Sequence, residues 1–227
     1  MYCSELWGTV ADWVVGVGTL ALAALAIWGE TIRGLIYRPE FTVSCTGEPP
    51  DCISIPIADG AGNVISDSIY LRILVANVGR AAANTVEVYA RRLRVQRANG
   101  TWMPVSNFPH MNLKWANTGA VYNRLVPGMA KHCDVAHITD PPNRPQLREN
   151  APQLNPQQTA LVFELMVRPN NRTHIVGPGQ YQLDIQVAAK NARPVERTLE
   201  ISLTGTWYPN EAQMLSSGIG ISVQQPP

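Results

Sequence analysis

The hydrophobic and polar positions follow one pattern near the N-terminus and a different one after it. From Trp13 to Trp28 every residue is apolar, Gly or Thr, and extension back to Leu6 adds only two small residues and one acid as interruptions. At about 1.5 Å per residue, a helix over 6–28 is about 34 Å long, enough for a hydrocarbon core of roughly 30 Å. Trp residues near both ends are typical of interfacial belts. The pattern predicts a transmembrane helix that ends before Pro39.

Charges at the two ends of this helix predict its orientation. Residues 1–29 contain no Lys or Arg, whereas Arg33 and Arg38 follow the apolar run. The positive-inside rule then predicts a single-pass protein of the cell inner membrane, with the N-terminus outside and the downstream domain in the cytoplasm. A periplasmic domain is the alternative. A cleaved signal peptide also competes, because Ala24-Leu25-Ala26 resembles a cleavage site, but no cation precedes the apolar run as signal peptides require.

Small and polar residues form a stripe along one face of the predicted helix. They follow one another at alternating spacings of four and three, which is the seam of a helix packed on another helix. The stripe consists of Asp12, Gly16, Thr19, Ala23, Ala26 and Glu30. Small side chains let two backbones approach closely, so the stripe predicts docking to other membrane protein subunits, homo- or hetero-oligomeric, within the lipid bilayer. The simpler alternative is that Ala and Gly are common in membrane helices.

Downstream of the helix the apolar period changes to two. Apolar residues alternate with polar or smaller ones in four segments, at 69–75, 161–167, 181–187 and 199–203. Such segments are half-buried strands, and the Gly-, Pro- and Asn-containing sequences between them have turn chemistry. The predicted fold is therefore an N-terminal transmembrane α-helix followed by an all-β, immunoglobulin-like antiparallel sandwich. The predicted boundaries are an anchor at 1–38, a sandwich at 39–206 with a proline-rich loop at 140–158, and a C-terminal tail at 207–227.

One hairpin carries a resemblance to a known family. Its first strand ends in Asn77-Val78-Gly79, and a short turn leads to an Ala-rich second strand; the residues concerned are Leu74-Val75-Ala76-Asn77-Val78-Gly79-Arg80, then Ala82, Ala83, Asn84, Val86 and Val88. This pattern resembles the hairpin of CARDB-type immunoglobulin-like domains and covers about residues 69–95. The resemblance implies an adhesion, spacer or assembly domain and no catalytic residue. The later segments 112–115 and 205–207 have no counterpart in the motif.

The second strand of this hairpin changes its apolar parity. Apolar residues occupy even positions up to Ala90 and odd positions from Leu93 onward, which predicts a β-bulge near Arg91 and Arg92. The bulge is expected to gather a cationic edge formed by Arg91, Arg92, Arg94 and Arg97. Such an edge can bind a carboxylate-rich or phosphate-bearing partner, including lipid headgroups. The alternative is that these charges protect a sheet edge from aggregation.

Composition narrows the class of partner. The chain has 18 Lys and Arg against 17 Asp and Glu, so we expect no nucleic-acid partner. Its four cysteines are too few for a disulfide scaffold in a chain this long, although Cys45 and Cys52 could clip a hairpin in an oxidising compartment. A zinc site built from these two with His132 and Cys133 lacks the spacing typical of such sites.

Catalytic motifs are absent from the sequence. The strongest candidate is His132-Cys133-Asp134 with His137, but adjacent strand residues point to opposite faces, so His132 and Cys133 cannot form a nucleophile pair. The sequence therefore predicts a protein that is not an enzyme, with no catalytic, cofactor-binding or metal-binding residue. The leading hypothesis is a membrane-anchored accessory or structural subunit of a membrane protein complex. The runner-up is a membrane-anchored ligand sensor or effector, and a periplasmic adhesion domain is a weaker alternative.

Overall fold

The chain divides into two compact units after Arg38, at the predicted end of the anchor. A computed structural model describes residues 9–59 and 61–224. The predicted helix start at Leu6, the flanking Trp7 and Cys3 lie outside the described residues, as do the side chains of Glu30 and Arg33.

The first unit is a single helix, α1, over Val10–Ile36. Its first turn is closed by a capping box: the Thr9 amide donates to Asp12 Oδ2 at 2.7 Å, and the Asp12 amide donates back to Thr9 Oγ1 at 3.3 Å. The 20-residue stretch Val10–Gly29 has a mean hydropathy of 2.0, and its side chains are largely exposed. By length and composition α1 is able to cross a membrane, and a signal sequence has the same features.

Within residues 39–59 and 61–224, the second unit contains fourteen strands, a short 3-10 helix at Pro141–Asn143 and a short helix, α2 (Glu211–Gln213), that continues as a π-helical stretch over Met214–Gly218. The first seven strands are β1 (Phe41–Ser44), β2 (Cys52–Ala58), β3 (Val64–Asn77), β4 (Ala83–Gln96), β5 (Trp102–Pro104), β6 (Met111–Asn112) and β7 (Lys114–Trp115). The others are β8 (Val121–Leu125), β9 (Ala130–Thr139), β10 (Leu161–Phe163), β11 (Ile175–Val176), β12 (Gly179–Ala189), β13 (Ala192–Leu203) and β14 (Ile219–Val223). All pairings between them are antiparallel.

These strands form two sheets of seven strands each. Sheet A has the order β1-β3-β9-β10-β11, with β2 also on β3 and β7 also on β9. Sheet B has the order β14-β13-β12-β4-β5, with β6 and β8 also on β4. The alternating apolar residues of β3, β4, β12 and β13 form one buried cluster with Trp115. The predicted antiparallel β-sandwich is therefore confirmed.

The asparagine of the Asn-x-Gly turn stabilises the end of β3 through its side-chain hydrogen bonds. The Asn77 side chain is fully buried, and its Nδ2 donates to the carbonyls of Ala81 and Leu125 at 2.8 and 2.9 Å. Its Oδ1 accepts from the amides of Gly79 and Glu40 at 3.0 and 3.2 Å. One amide side chain thus satisfies four backbone groups where β3 leaves the sheet, a role that requires both donors and an acceptor.

Three of the four predicted strand segments are strands over their full length, and one is shorter. Residues 69–75, 181–187 and 199–203 lie in β3, β12 and β13. The segment 161–167 forms a strand only over Leu161–Phe163, an isolated bridge joins Leu165 to Leu113, and Val167 is 59% exposed. That prediction was wrong beyond Leu165, because alternation alone does not show whether a partner strand is long enough to continue the ladder.

Residues 207–227 were predicted to form a tail, and this was wrong. Within this segment β14 pairs with β13 from Leu199↔Val223 to Leu203↔Ile219. Before it, Glu211 accepts a hydrogen bond from the Ser54 amide at 2.6 Å, and Met214 is fully buried. The described part of this segment, residues 207–224, therefore belongs to the sandwich.

The proline-rich loop 140–158 packs onto its own domain. Arg144 is 1% exposed, and its guanidinium donates to the carbonyls of Gln158 at 2.7 Å and Glu149 at 3.2 Å. Ala151 lies in a small buried cluster with residues of β10 and β11. A buried arginine that satisfies backbone carbonyls gives this loop a fixed path, although its one helical element is the short 3-10 helix Pro141–Asn143.

Candidate binding site at the β4 bulge

The predicted β-bulge is present in β4. The register places Arg92 opposite Asp184 but Ala90 opposite Ile185, so Arg91 is the extra residue. Ala90 remains fully buried on one side of the bulge, and Leu93 is 1% exposed on the other. The bulge therefore keeps both apolar stretches of β4 on the core and turns two consecutive arginines toward solvent.

Asp184 of β12 is the centre of the cluster beside the bulge. Its Oδ2 accepts from Arg92 Nε at 2.9 Å, and its Oδ1 accepts from Arg94 Nη2 at 2.6 Å and from the Thr198 hydroxyl at 2.9 Å. Burial raises the pKa of Asp184, but the hydrogen bonds from Thr198 and Arg92 and the charge of Arg94 outweigh it, so the pKa lies below its usual value. The carboxylate is therefore ionised at neutral pH.

A second ion pair lies across the sheet from the first. Arg91 Nη1 pairs with Glu196 Oε1 on β13, and Gln186 Nε2 donates to the same oxygen at 3.3 Å. Arg197 Nη1 donates to the Glu196 carbonyl at 2.7 Å. The Arg91 side chain of β4 thus crosses the face of β12 to reach β13.

These residues line an open pocket of about 620 Å³ on sheet B. Four arginines and two carboxylates face it, and the charges of these six groups sum to +2. The lining residues are Arg91, Arg92, Arg94, His110, Asp184, Ile185, Glu196, Arg197, Thr198 and Gln224. We call this site the arginine pocket. Its size lies within the roughly 300–1,000 Å³ typical of ligand sites.

The structure brings together three of the four predicted arginines. Arg97 lies beyond the end of β4, where its amide donates to the Thr101 carbonyl at 2.9 Å, and it does not line the pocket. Arg197 of β13 takes the fourth place. Sequence reasoning missed Arg197 and Asp184, because only the pairing of β4, β12 and β13 places them beside the bulge.

The chemistry of the arginine pocket suits an anion with two or more oxygen atoms. Guanidinium groups present forked donors that match carboxylate and phosphate geometry. The side chains of Arg91 and Arg92 are 45% and 62% exposed, so they are accessible to a ligand while still paired with Glu196 and Asp184.

The predicted docking residues of α1 are all exposed. This holds for Asp12, Gly16, Thr19, Ala23 and Ala26. Two of their polar groups already have partners in the same helix, since Asp12 belongs to the capping box and the Thr19 hydroxyl donates to the Val15 carbonyl at 2.8 Å. The small residues Gly16, Ala23 and Ala26 remain as the close-approach surface, and docking stays a prediction.

A second polar cluster lies inside the domain, beneath the proline-rich loop. His137 is 1% exposed; its Nε2 lies 2.7 Å from Glu149 Oε1 and its Nδ1 lies 2.6 Å from Glu164 Oε1. Lys114 Nζ lies 2.8 Å from Glu164 Oε2, and the ring of Tyr70 stacks on His137 with centroids 5.1 Å apart. Burial lowers the pKa of His137, but the two carboxylates outweigh it and raise the pKa to about 9. His137 is thus a buried cation that ties the loop to sheet A.

The sequence candidate at 132–134 does not bring the His132 ring and the Cys133 thiol together. His132 Nε2 lies 2.9 Å from Asp51 Oδ1, whereas the Cys133 side chain is fully buried and its Sγ donates to the Lys114 carbonyl at 3.3 Å. The predicted separation of His132 from Cys133 is confirmed. Within residues 9–59 and 61–224, no group of three or more His, Cys, Asp and Glu side chains is arranged to hold a metal ion.

No known protein-family model matches the sequence, and no curated protein matches it significantly. The resemblance of the Asn77 hairpin to CARDB-type domains therefore stays a prediction. The structure shows that the chain is an antiparallel β-sandwich preceded by an apolar helix.

Proposed function

We propose that this protein is a non-enzymatic, membrane-anchored accessory subunit that binds an anionic segment of a partner protein in its arginine pocket. The observation that carries this proposal is the pocket itself, in which the β4 bulge brings Arg91, Arg92 and Arg94 together with Arg197 of β13. A cationic surface built from strands of a folded sheet is held in a fixed geometry, which reduces the ordering cost of binding.

The apolar helix supports the membrane part of the proposal. Val10–Gly29 spans about 30 Å at 1.5 Å per residue, the thickness of a hydrocarbon core. The small side chains of Gly16, Ala23 and Ala26 recur on one face, as in helices that pack against a neighbour in lipid. We propose that this face docks α1 against another membrane subunit, of the same or a different chain.

Substitutions on the two faces of α1 test the docking role. Ala23→Leu places a bulky side chain on the small-residue face, whereas Ala21→Leu makes the same change on the opposite face. Extraction in a mild detergent followed by native mass measurement should give an assembly larger than one chain for the unsubstituted protein and for Ala21→Leu, and a smaller one for Ala23→Leu. A monomer in all three samples would contradict the proposal.

Substitutions in the arginine pocket test the binding role separately. Arg91→Gln and Arg92→Gln each remove one guanidinium charge, and Arg193→Gln makes the same change at an exposed arginine outside the pocket. Loss of a charge-assisted hydrogen bond costs roughly 1.5–3 kcal/mol, so partner binding should weaken by about tenfold or more in the first two variants only. Equal retention of partner in all three would rule out the pocket as the binding site.

The size of the arginine pocket favours a second candidate, a membrane-anchored sensor of a small anion. A pocket of about 620 Å³ can hold a ligand as well as a protein segment. A ligand present at 100 times its dissociation constant stabilises the folded state by about 2.7 kcal/mol. Inorganic phosphate, citrate and ATP should therefore raise the melting temperature if the sensor function is correct, and an unchanged melting temperature with all three would count against it.

We also propose that the protein lies in the cell inner membrane with the β domain in the cytoplasm, because residues 1–29 lack cations and Arg38 follows the helix. Cysteine labelling tests this orientation. In a chain that also carries Cys3→Ser, which removes the cysteine on the side proposed to face outward, Ala98→Cys places a thiol on the exposed β4–β5 hairpin. A membrane-impermeant maleimide should label it only after the cells are opened, and labelling of intact cells would place the domain in the periplasm instead.

A further inference from the structure

Two cysteines flank a short excursion between β1 and β2. β9 pairs with one edge of β3, so β1 and β2 share the other edge. β1 ends with Ser44 opposite Leu74, and β2 begins with Cys52 opposite Leu71. Cys45, the next residue after Ser44, therefore lies about two residue steps from Cys52 along this edge, or about 7 Å between Cα atoms. That separation lies slightly above the usual disulfide range, which ends at about 6.8 Å, so a bond between the two cysteines requires a small approach of their Cα atoms.

The excursion is held in one conformation by its own hydrogen bonds. Asp51 Oδ2 accepts from the Thr46 amide at 2.7 Å and from the Thr46 hydroxyl at 3.0 Å. At the other end, the amides of Asp51 and Cys52 donate to the Glu48 carbonyl at 2.8 and 2.9 Å. Both ends of the excursion are thus fixed, and the two cysteines are held near each other.

The two thiols differ in exposure and acidity. Cys45 is half-buried at the margin of the core, whereas Cys52 is fully buried. A hydrogen bond from the Cys52 thiol lowers the pKa of Cys45, and the same interaction raises the pKa of Cys52. Because an external disulfide reaches a half-buried thiol more readily than a fully buried one, Cys45 suits the first attack and Cys52 suits the second, internal step.

We propose that Cys45 and Cys52 form a reversible dithiol–disulfide site, oxidised by a disulfide-bearing molecule such as oxidised glutathione. The Cys45 thiolate attacks one sulfur of that disulfide, which forms a mixed disulfide and releases one glutathione thiolate. Cys52 then loses its proton and attacks Cys45 Sγ, which releases the second glutathione. Two electrons and two protons pass from the cysteine pair to the external disulfide, giving two glutathione thiols and one internal disulfide.

This site is separate from the proposed binding function, because it lies on sheet A and the arginine pocket lies on sheet B. Cys133 provides an internal reference: its thiol is also free, but it is completely buried, and burial raises its pKa well above the usual value. Cys133 should therefore stay reduced under conditions that oxidise the pair.

The test uses the full chain in detergent with Cys3→Ser, so that only the three described cysteines are present. The protein is equilibrated with oxidised glutathione, trapped with N-ethylmaleimide and analysed by peptide mapping. We expect an internal Cys45–Cys52 link, a mass lower by two hydrogens, and labelling of Cys45 reduced by about tenfold relative to the dithiothreitol-treated sample. Dithiothreitol should restore the labelling.

A single substitution separates the two steps. Cys52→Ala removes the internal step, so Cys45 should accumulate as a mixed disulfide that carries one glutathione, whereas Cys133→Ala should leave the Cys45–Cys52 link unchanged. Peptide mapping of the protein that retains Cys52 decides the question even if Cys52→Ala does not fold. Free thiols at both positions after oxidation, or a glutathione that persists on Cys45 beside an intact Cys52, would overturn the proposal.

Discussion

His137 shows how one side chain can hold a charge inside this domain. The imidazole is enclosed between Glu149 of the proline-rich loop and Glu164 beside β10, and all three side chains are buried. Burial of any one charge without a partner is costly, whereas the paired group is tolerated. Removal of the cation alone would therefore leave two carboxylates facing each other without compensation.

We predict that His137→Gln lowers the free energy of unfolding by about 3–5 kcal/mol, the usual cost of breaking a buried ion pair. Glu149→Gln added to His137→Gln should recover part of that loss, because it removes one of the uncompensated charges. Urea titration of the full chain in detergent, followed by tryptophan fluorescence, measures both. Equal stability of the two variants would show that Glu149 is not coupled to His137.

The same residue predicts a dependence of stability on pH. The pKa of His137 is raised to about 9 in the folded chain, above an unfolded value of about 6.5. Its contribution is therefore fully present below about pH 6.5 and is lost as the pH rises through 9, with a total of roughly 3 kcal/mol. Urea titrations at pH 6.5 and pH 9.5 should show this loss, and it should be much smaller in His137→Gln.

At the scale of the secondary-structure element, the β4 bulge contributes to the arginine pocket but is not required for the packing of β4 in the core. Removal of Arg91 would restore simple alternation, with Ala90 inward, Arg92 outward and Leu93 inward. The core contacts of β4 do not require the extra residue. The inserted arginine instead widens the cationic surface and reaches Glu196 on β13.

Deletion of Arg91 should therefore leave the domain folded, with a melting temperature close to that of the complete chain, but should weaken binding in the arginine pocket. Deletion of Glu87 is the matched control, because it would turn Tyr89 and Arg91 toward the core in the places of Val88 and Ala90. That variant should unfold or aggregate. Circular dichroism melting distinguishes the two, and unfolding of the Arg91 deletion would show that the bulge is needed for the fold.

The sequence predicted those features that depend on neighbouring residues. The bulge was predictable because the apolar parity changes within β4, and the apolar helix was predictable from its composition alone. The arginine pocket was only half predictable, since Asp184 and Arg197 come from strands about 90 and 100 residues further along the chain. The buried cluster of His137, Glu149 and Glu164 could not be predicted from the sequence. Nothing in the residues around Glu149 distinguishes a glutamate that becomes buried when the loop packs on the sandwich from one that stays in solvent.

At the scale of the whole molecule, the sandwich is completed only by its last strand. β14 covers the outer edge of β13, and Met214, Ile219 and Ile221 fill that end of the core. Burial of each such side chain contributes about 1.5–3 kcal/mol. Sheet B without β14 would also present the free edge of β13 to other chains.

We predict that a chain ending after Tyr208 loses more than about 5 kcal/mol of stability and aggregates, because it lacks these three side chains and exposes β13. A chain ending after Gln224 keeps β14 and should behave like the complete protein. Light scattering and urea titration compare them. A soluble and stable shorter chain would show that β14 contributes little to the sandwich.

The pairing of Arg92 and Arg94 with Asp184 sets the character of any association at the pocket. An incoming anion competes with Asp184, a counter-ion that belongs to the same domain and stays beside the two guanidinium groups when the anion leaves. The bound anion and the Asp184 carboxylate compete for the same guanidinium groups. We therefore expect short residence times for the anion and binding that weakens as the ionic strength rises. Such a contact forms and dissociates repeatedly, which suits a transient, regulated complex better than a permanent one.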